Sequence, residues 1–289
     1  MTKRVLLAVY AHPDDELSAG GTLAHYARQG VSTHLICATR GEVGEAPPDR
    51  NGFASVAEMR TNELQCAAGI LGLESVNFLG YRDSGMPGSP DNAHPDALIN
   101  APVDEVAHKI AAHIRRLKPQ VVITFDPIGG YRHPDHIAIH RATVEAFKIA
   151  GDSGLVLSEV EGLGIGDWEP YAPQKLYFST FPRGFMRLAV RVLKLIGRDP
   201  RHFGKNGDID LASLGEVDFP IHARISISDV LEQKERAAAC HLSQLASMGG
   251  TLARVFQRLF ANTEIFMRAV PVEPPAQIER DLFEGIKFG

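Results

Sequence analysis

The stretch "VLLAVYAHPDDEL", Val5 to Leu17, passes without a spacer from a continuous apolar run into one histidine and three carboxylates packed between His12 and Glu16. An uninterrupted apolar run of this length suits a strand buried on both faces, as in a parallel sheet, and the strand is expected over residues 4–11. Beyond it the period changes. Leu17, Leu23, Ala24 and Ala27 recur at helical spacing up to Gly30, a natural stop, and "VSTHLICAT", Val31 to Thr39, reads as the next strand. The three pieces make a βαβ unit with a right-handed crossover.

The same alternation continues. A loop rich in Gly, Pro and acid (40–55) precedes a helix over Val56–Leu71, the strand "SVNFLG", a proline-rich loop (82–102), a helix over Val103–Leu117, and the strand "QVVITF", Gln120 to Phe125. The expected class is therefore α/β: a Rossmann-like, mostly parallel sheet with helices on both faces. Past about residue 150 the pattern loosens into a C-terminal extension of strands ("KLYFST", "HARISIS", "EIFMRAV") and helices, including one over Asp229–Ala246. Residues 1–289 are read as one domain, with 1–150 as the core and 151–289 as a substrate lobe and extension. A helix over Arg183–Arg198 places Arg183, Arg187, Arg191, Lys194 and Arg198 on one face. A solvated face is the first reading of that stripe; an anionic substrate or a membrane surface is the second.

A chain of 289 residues, 44% hydrophobic, can bury a sizeable core, and a net charge of -5 gives no basic bias toward nucleic acid. Its three cysteines, Cys37, Cys66 and Cys240, are far apart within apolar patterns, so reduced thiols are expected rather than a disulfide framework or a thiolate zinc site. No apolar run approaches the roughly 20 residues of a membrane helix. The expected location is the cytoplasm, and a homo-oligomer is left open.

Ligands of an open parallel sheet bind beyond the carboxyl ends of its strands. Two loops there carry the chemistry: "HPDDE" after the first strand, and "GGYRHPDH", Gly129 to His136, after "QVVITFDP". If their strands are neighbours, the loops face each other. Two histidines and a carboxylate, with a fourth position for water, are the ligand set of many catalytic zinc hydrolases. His12, Asp14, Asp15, Glu16, His133, Asp135, His136 and His140 are the available donors, and a bound dication would relieve the crowding of acids. His136 and His140, four apart, offer an alternative pair. His-Pro-Asp alone is only a turn, and a third copy, His94 to Asp96, follows no strand and is read that way. No G-x-G-x-x-G follows the first strand, which disfavours a dinucleotide-binding protein, although a metal-independent sugar- or nucleotide-binding protein remains the competing class.

"AHPDDE" with "HPDH" closely resembles the paired motifs of the LmbE-like, or PIG-L, zinc-dependent N-deacetylases, which remove acetyl groups from N-acetylglucosamine-containing substrates. "GGTLA", "EMRTNEL" (58–64), "GYRDSGM" (80–86) and "KERAAACHLSQ" (234–244) extend the resemblance over most of the chain. The "RDSGM" and "GGYRHPDH" stretches look most like the mycothiol branch, whose members deacetylate a glucosaminyl-inositol or cleave mycothiol conjugates at an amide. The resemblance implies one Zn2+, or another divalent transition metal, on His12, Asp15 and His136. It makes Asp14 the general base and a protonated His133 the oxyanion stabiliser, with either of them protonating the leaving amine. Asp135 would orient a histidine, His133 first. Arg60, Asp83, Tyr131 and His241 match positions expected to contact an amino-sugar conjugate. The amidase branch carries a lysine shortly after the acidic cluster, where this chain has Leu17, Ser18, Ala19 and Gly20, so deacetylation is favoured over conjugate cleavage.

Overall fold

A computed structural model of the chain describes residues 3–157, 159–160, 164–165, 168–181, 183–195, 197, 199–201, 210–214, 217–245 and 262–288. Nine strands run in chain order among them: β1 (Val5–Tyr10), β2 (Ser32–Cys37), β3 (Ser75–Phe78), β4 (Val121–Phe125), β5 (Glu159–Val160), β6 (Gly164–Ile165), β7 (Lys175–Thr180), β8 (Ala223–Ser226) and β9 (Thr263–Val270). The described helices include α1 (Gly20–Arg28), α2 (Val56–Leu71), α3 (Val103–Leu117), α4 (Gly129–Arg132), α5 (Pro134–Ile149), α6 (Arg183–Leu195), α7 (Leu211–Leu214), α8 (Leu231–Ala238) and α9 (Leu242–Leu245).

Seven strands form one sheet in the order β3-β2-β1-β4-β7-β9-β8, and β5 pairs with β6. The first five strands are parallel neighbours, and β9 and β8 close the edge antiparallel. The α/β class holds, with the C-terminal strands continuing the first sheet. Every residue of β1, β2 and β4 is buried, as covered parallel strands require. Helices α3 and α5 pack on each other, whereas α1, α2 and α8 form a second set.

The strand order runs 3-2-1 and then jumps to 4, so the sheet's topological switch point lies between β1 and β4. Those strands pair in parallel register, Leu7 opposite Val122, so the loops after Tyr10 and Phe125 leave the same edge side by side. Helix α1 is anchored behind the first loop by Glu264 of β9, whose carboxylate accepts from Gly21 N (2.9 Å) and Thr22 N (2.7 Å) at the helix start. Helix α2 begins with Ser55 accepting from Glu58 N (3.1 Å) and ends at Gly72 in the left-handed conformation.

Two expectations are corrected. Cys66 and Cys240 are not reduced core thiols: they form a disulfide, with Cα atoms 5.9 Å apart. The physical reason is the packing of α2 on α8, which joins positions 174 residues apart and leaves Cys66 at the surface, while Cys37 is buried and free. The helix expected over Asp229–Ala246 breaks after Ala238 into a turn at Cys240 and His241 before α9, and Ala246 lies outside the described residues. The basic helix is α6. Its Arg187 is bonded to Asp218, Arg191 and Lys194 are exposed, and Arg198 lies outside the described residues. Among the described residues no helix is long and apolar enough to cross a membrane.

Candidate active site

The two loops at the switch point bring His12, Asp15 and His136 together. His12 Nδ1 lies 3.2 Å from His136 Nε2 and 3.2 Å from Asp15 Oδ2, and His136 Nε2 lies 3.2 Å from Asp15 Oδ1. The opposite nitrogen of each ring is already committed. His136 Nδ1 is 3.2 Å from Gly129 O, and His12 Nε2 is 3.0 Å from Asp135 Oδ2, so each ring can donate there and offer its other nitrogen to a cation. Two ring nitrogens this close beside a carboxylate call for a positive charge among them, a proton on His12 or a metal ion. Donors about 2.0–2.1 Å from a tetrahedral ion stand about 3.3 Å apart, so the nitrogen pair at 3.2 Å, with an oxygen of Asp15 beside each nitrogen, fits a zinc-sized ion. His12 also belongs to two wider donor groups, with His133 and His136 and with Asp83 and Asp135. The alternative pair does not form, because His140 Nδ1 turns to Phe125 O (2.8 Å).

Local backbone chemistry builds this arrangement. Asp126 ends β4 by accepting from Ile128 N (3.1 Å) and Gly130 N (2.9 Å), and Gly129, Gly130 and Arg132 all take positive φ. A side chain at Gly129 would meet His136 Cβ at 2.7 Å, so glycine there lets the loop fold onto the histidine whose ring it fixes. Phe125 stacks on that ring at 4.0 Å. His133 caps α5: its Nδ1 accepts from Asp135 N (3.2 Å), and Pro134 follows at the first helical position. The cap leaves the proton on Nε2.

Electrostatics divide the roles. Burial pushes the Asp14 carboxyl up to about 6, against the pull of the Arg60 guanidinium, whose NH2 group lies 3.2 Å from Asp14 Oδ1. Burial opposes ionisation of Asp15, yet His136 and His12 hold it well below the usual carboxylate range. Burial would likewise lower His12, but Asp83, Asp135 and Asp15 raise it well above its ordinary value. Burial, reinforced by the adjacent His12 and His136, pushes His133 far down. The imidazolium expected of His133 is thereby disfavoured, and the cap contact suits a neutral ring that donates through Nε2.

Other expected residues find different neighbours. The Asp135 carboxylate bonds His12 while its backbone N–H holds His133, and the carboxylate is itself held by Ser84 N (2.9 Å) and the Ser84 hydroxyl. Asp83 is buried, 3.5 Å from His12 Nε2, and orders its own turn by accepting from Gly85 N (2.8 Å). Arg60 is buried beneath the first loop, donating to Pro13 O (2.5 Å) and Gly41 O (3.1 Å). A side chain at Gly41 would strike its guanidinium at 2.0 Å. Tyr131 is partly exposed, its ring 5.0 Å from that of His136 and 5.9 Å from that of His133. His241 is fully buried, with Nε2 2.6 Å from Glu16 Oε1. Sequence reasoning missed Ser84, Asp126 and Gly129 as supports; a carboxylate directly after a buried strand was the signal for Asp126. The third His-Pro-Asp is a turn, with His94 Nδ1 accepting from Asp96 N (3.2 Å).

Fold and site together define a class: a parallel α/β protein with a set of metal-capable donors in its switch-point crevice. Residues 7–147 match the family model "PIG-L: GlcNAc-PI de-N-acetylase". A 1D-myo-inositol 2-acetamido-2-deoxy-alpha-D-glucopyranoside deacetylase of Thermobifida fusca (strain YX) is 37% identical over 300 residues, covering 98% of this chain and 100% of the relative. The chain therefore belongs to the PIG-L, or LmbE-like, family and is a hydrolytic N-deacetylase. Among solved structures, a conserved protein from Thermus thermophilus is 27% identical with a TM-score of 0.59, covering 94% of this chain and 97% of the other. The N,N'-diacetylchitobiose deacetylase from Pyrococcus horikoshii shares the fold at 19% identity, with a TM-score of 0.60 over 94% and 84% of the two chains.

Proposed function

We propose that the enzyme removes the acetyl group from an N-acetylglucosaminyl-inositol conjugate, with one zinc ion on His12, Asp15 and His136. The 3.2 Å contacts that gather two facing ring nitrogens and a carboxylate carry the metal reading. The substrate reading is supported by the T. fusca relative, whose name specifies an N-acetylglucosaminyl-inositol substrate and whose whole length aligns. A bound ion would supply Lewis acidity to water and to the amide carbonyl.

The chain's own residues do the rest. Asp14, near pKa 6 and held beside Arg60, takes a proton from the attacking water. The Nε2–H of neutral His133 donates to the carbonyl oxygen as negative charge develops there, and its cap bond to Asp135 N keeps that proton in place. Asp14 then returns the proton to the departing amine. Tyr131, the most open of these side chains, would be the first to meet an incoming sugar. Asp14→Ala should lower kcat by about 10²–10⁴-fold while keeping one equivalent of metal, whereas His12→Ala should lose both metal and activity. Metal analysis beside an amine-release assay reads both, and an active Asp14→Ala enzyme would remove the base from the scheme.

A further inference from the structure

Glu16 is the one residue of the His-Pro-Asp-Asp-Glu cluster whose side chain has no part in the scheme above apart from the proline ring, and it is fully buried. Both of its carboxylate oxygens are used. Oε2 accepts from Asp14 N at 2.9 Å, and Oε1 meets His241 Nε2 at 2.6 Å. The backbone it grips is unusual: Asp14 sits at φ 103°, ψ -22°, a region that non-glycine residues avoid unless their surroundings impose it.

The other end of the grip is fastened. His241 lies in a turn pinned to α2 by the Cys66–Cys240 disulfide and by Ser243, whose N and hydroxyl donate to Glu63 at 2.9 and 2.7 Å. Gln244 Nε2 donates to Glu45 O (2.9 Å) in the loop after β2. A segment 225 residues downstream thus reaches the backbone of the proposed base through one carboxylate.

We propose that Glu16 and His241 are positioning residues: the buried pair holds Asp14 in its left-handed conformation and so sets where the basic oxygen stands. This rests on the reading of Asp14 as base. It replaces substrate contact as the role of His241, and it predicts a loss in kcat rather than in KM, since displacing a catalytic group by about 1 Å can cost around 10²-fold.

The test compares two polar variants. His241→Gln carries an amide nitrogen at about the reach of Nε2 and should stay within about threefold of wild-type kcat on the N-acetylglucosaminyl-inositol. His241→Asn is too short to reach Glu16 and should lose about 10²-fold, with KM and metal content unchanged. Equal kcat in the two variants overturns the proposal. So does a rise in KM alone, which would assign His241 to the substrate, or a loss that merely follows metal content. If His241→Asn does not fold, Glu16→Leu decides: it can bond neither Asp14 N nor His241, so kcat should fall about 10²-fold at constant KM and metal content, and an unchanged kcat overturns it. If the wild-type enzyme releases no amine, the substrate reading fails by itself. Crystals of the two His241 variants then remain decisive, with Asp14 left-handed in His241→Gln and released in His241→Asn; the same φ in both overturns the proposal.

Discussion

Arg60 shows how much one buried residue contributes to this site. Its guanidinium binds the backbone of both the first loop and the loop after β2 and lies against Asp14, acting with the opposite sign to the burial that raises that carboxyl. Asp14 must be ionised to accept a proton, so kcat/KM should fall as pH drops through about 6. Removing a cation disfavours the charged carboxylate, so Arg60→Met should move that acid limb to higher pH; a limb that stays in place would mean a different group titrates. Asp135 acts through His12, fixing its tautomer through Nε2, and Asp135→Asn should weaken metal affinity by about 10–100-fold in a competition titration with a chelating dye. Unchanged affinity would show that the 3.0 Å contact does not orient the ligand. Type and spacing narrowed the donors to His12, Asp14, Asp15, Glu16, His133, Asp135, His136 and His140, and the family resemblance chose His12, Asp15 and His136 among them. The partner of the Asp135 carboxylate was not legible, since His12 lies 123 residues away and only the fold brings it there.

At the scale of elements, periodicity carried the parallel half of the sheet. Helices α2 and α3 match the expected Val56–Leu71 and Val103–Leu117, because an apolar stripe at helical spacing and clear stops bound each of them. What periodicity could not carry was the break between α8 and α9. Its cause is tertiary: the turn is drawn to α2 by the disulfide and to Glu63 by Ser243. Composition argued against any disulfide, and two cysteines in apolar patterns gave no local sign that α2 and α8 would meet. Closing a loop of this length restricts the unfolded chain, so reducing the Cys66–Cys240 bond should cost about 2–4 kcal/mol in a denaturation experiment with and without reductant. Coincident curves, or two free thiols at these positions in the purified protein, would refute the bridge.

For the whole molecule, the decisive fact is strand order. Adjacent β1 and β4 turn two loops that are 121 residues apart, counted from His12 to His133, into one crevice, and the sequence could state that only as a condition. The C-terminal strands and the turn before α9 then serve the same site from behind, Glu264 anchoring α1 and His241 reaching Glu16. The supporting contacts of Arg60, Asp83 and His241, all expected at the sugar, were not legible, because their partners lie in other loops and only the fold brings them together. One measurement tests the central claim most directly: amine and acetate released from N-acetylglucosaminyl-inositol by the protein as purified, after chelation, and after reloading with one equivalent of zinc. The account predicts equimolar products from the first and third samples and none from the second. A protein that turns over equally well after complete removal of its metal, or that stays inert with one equivalent bound, would contradict it.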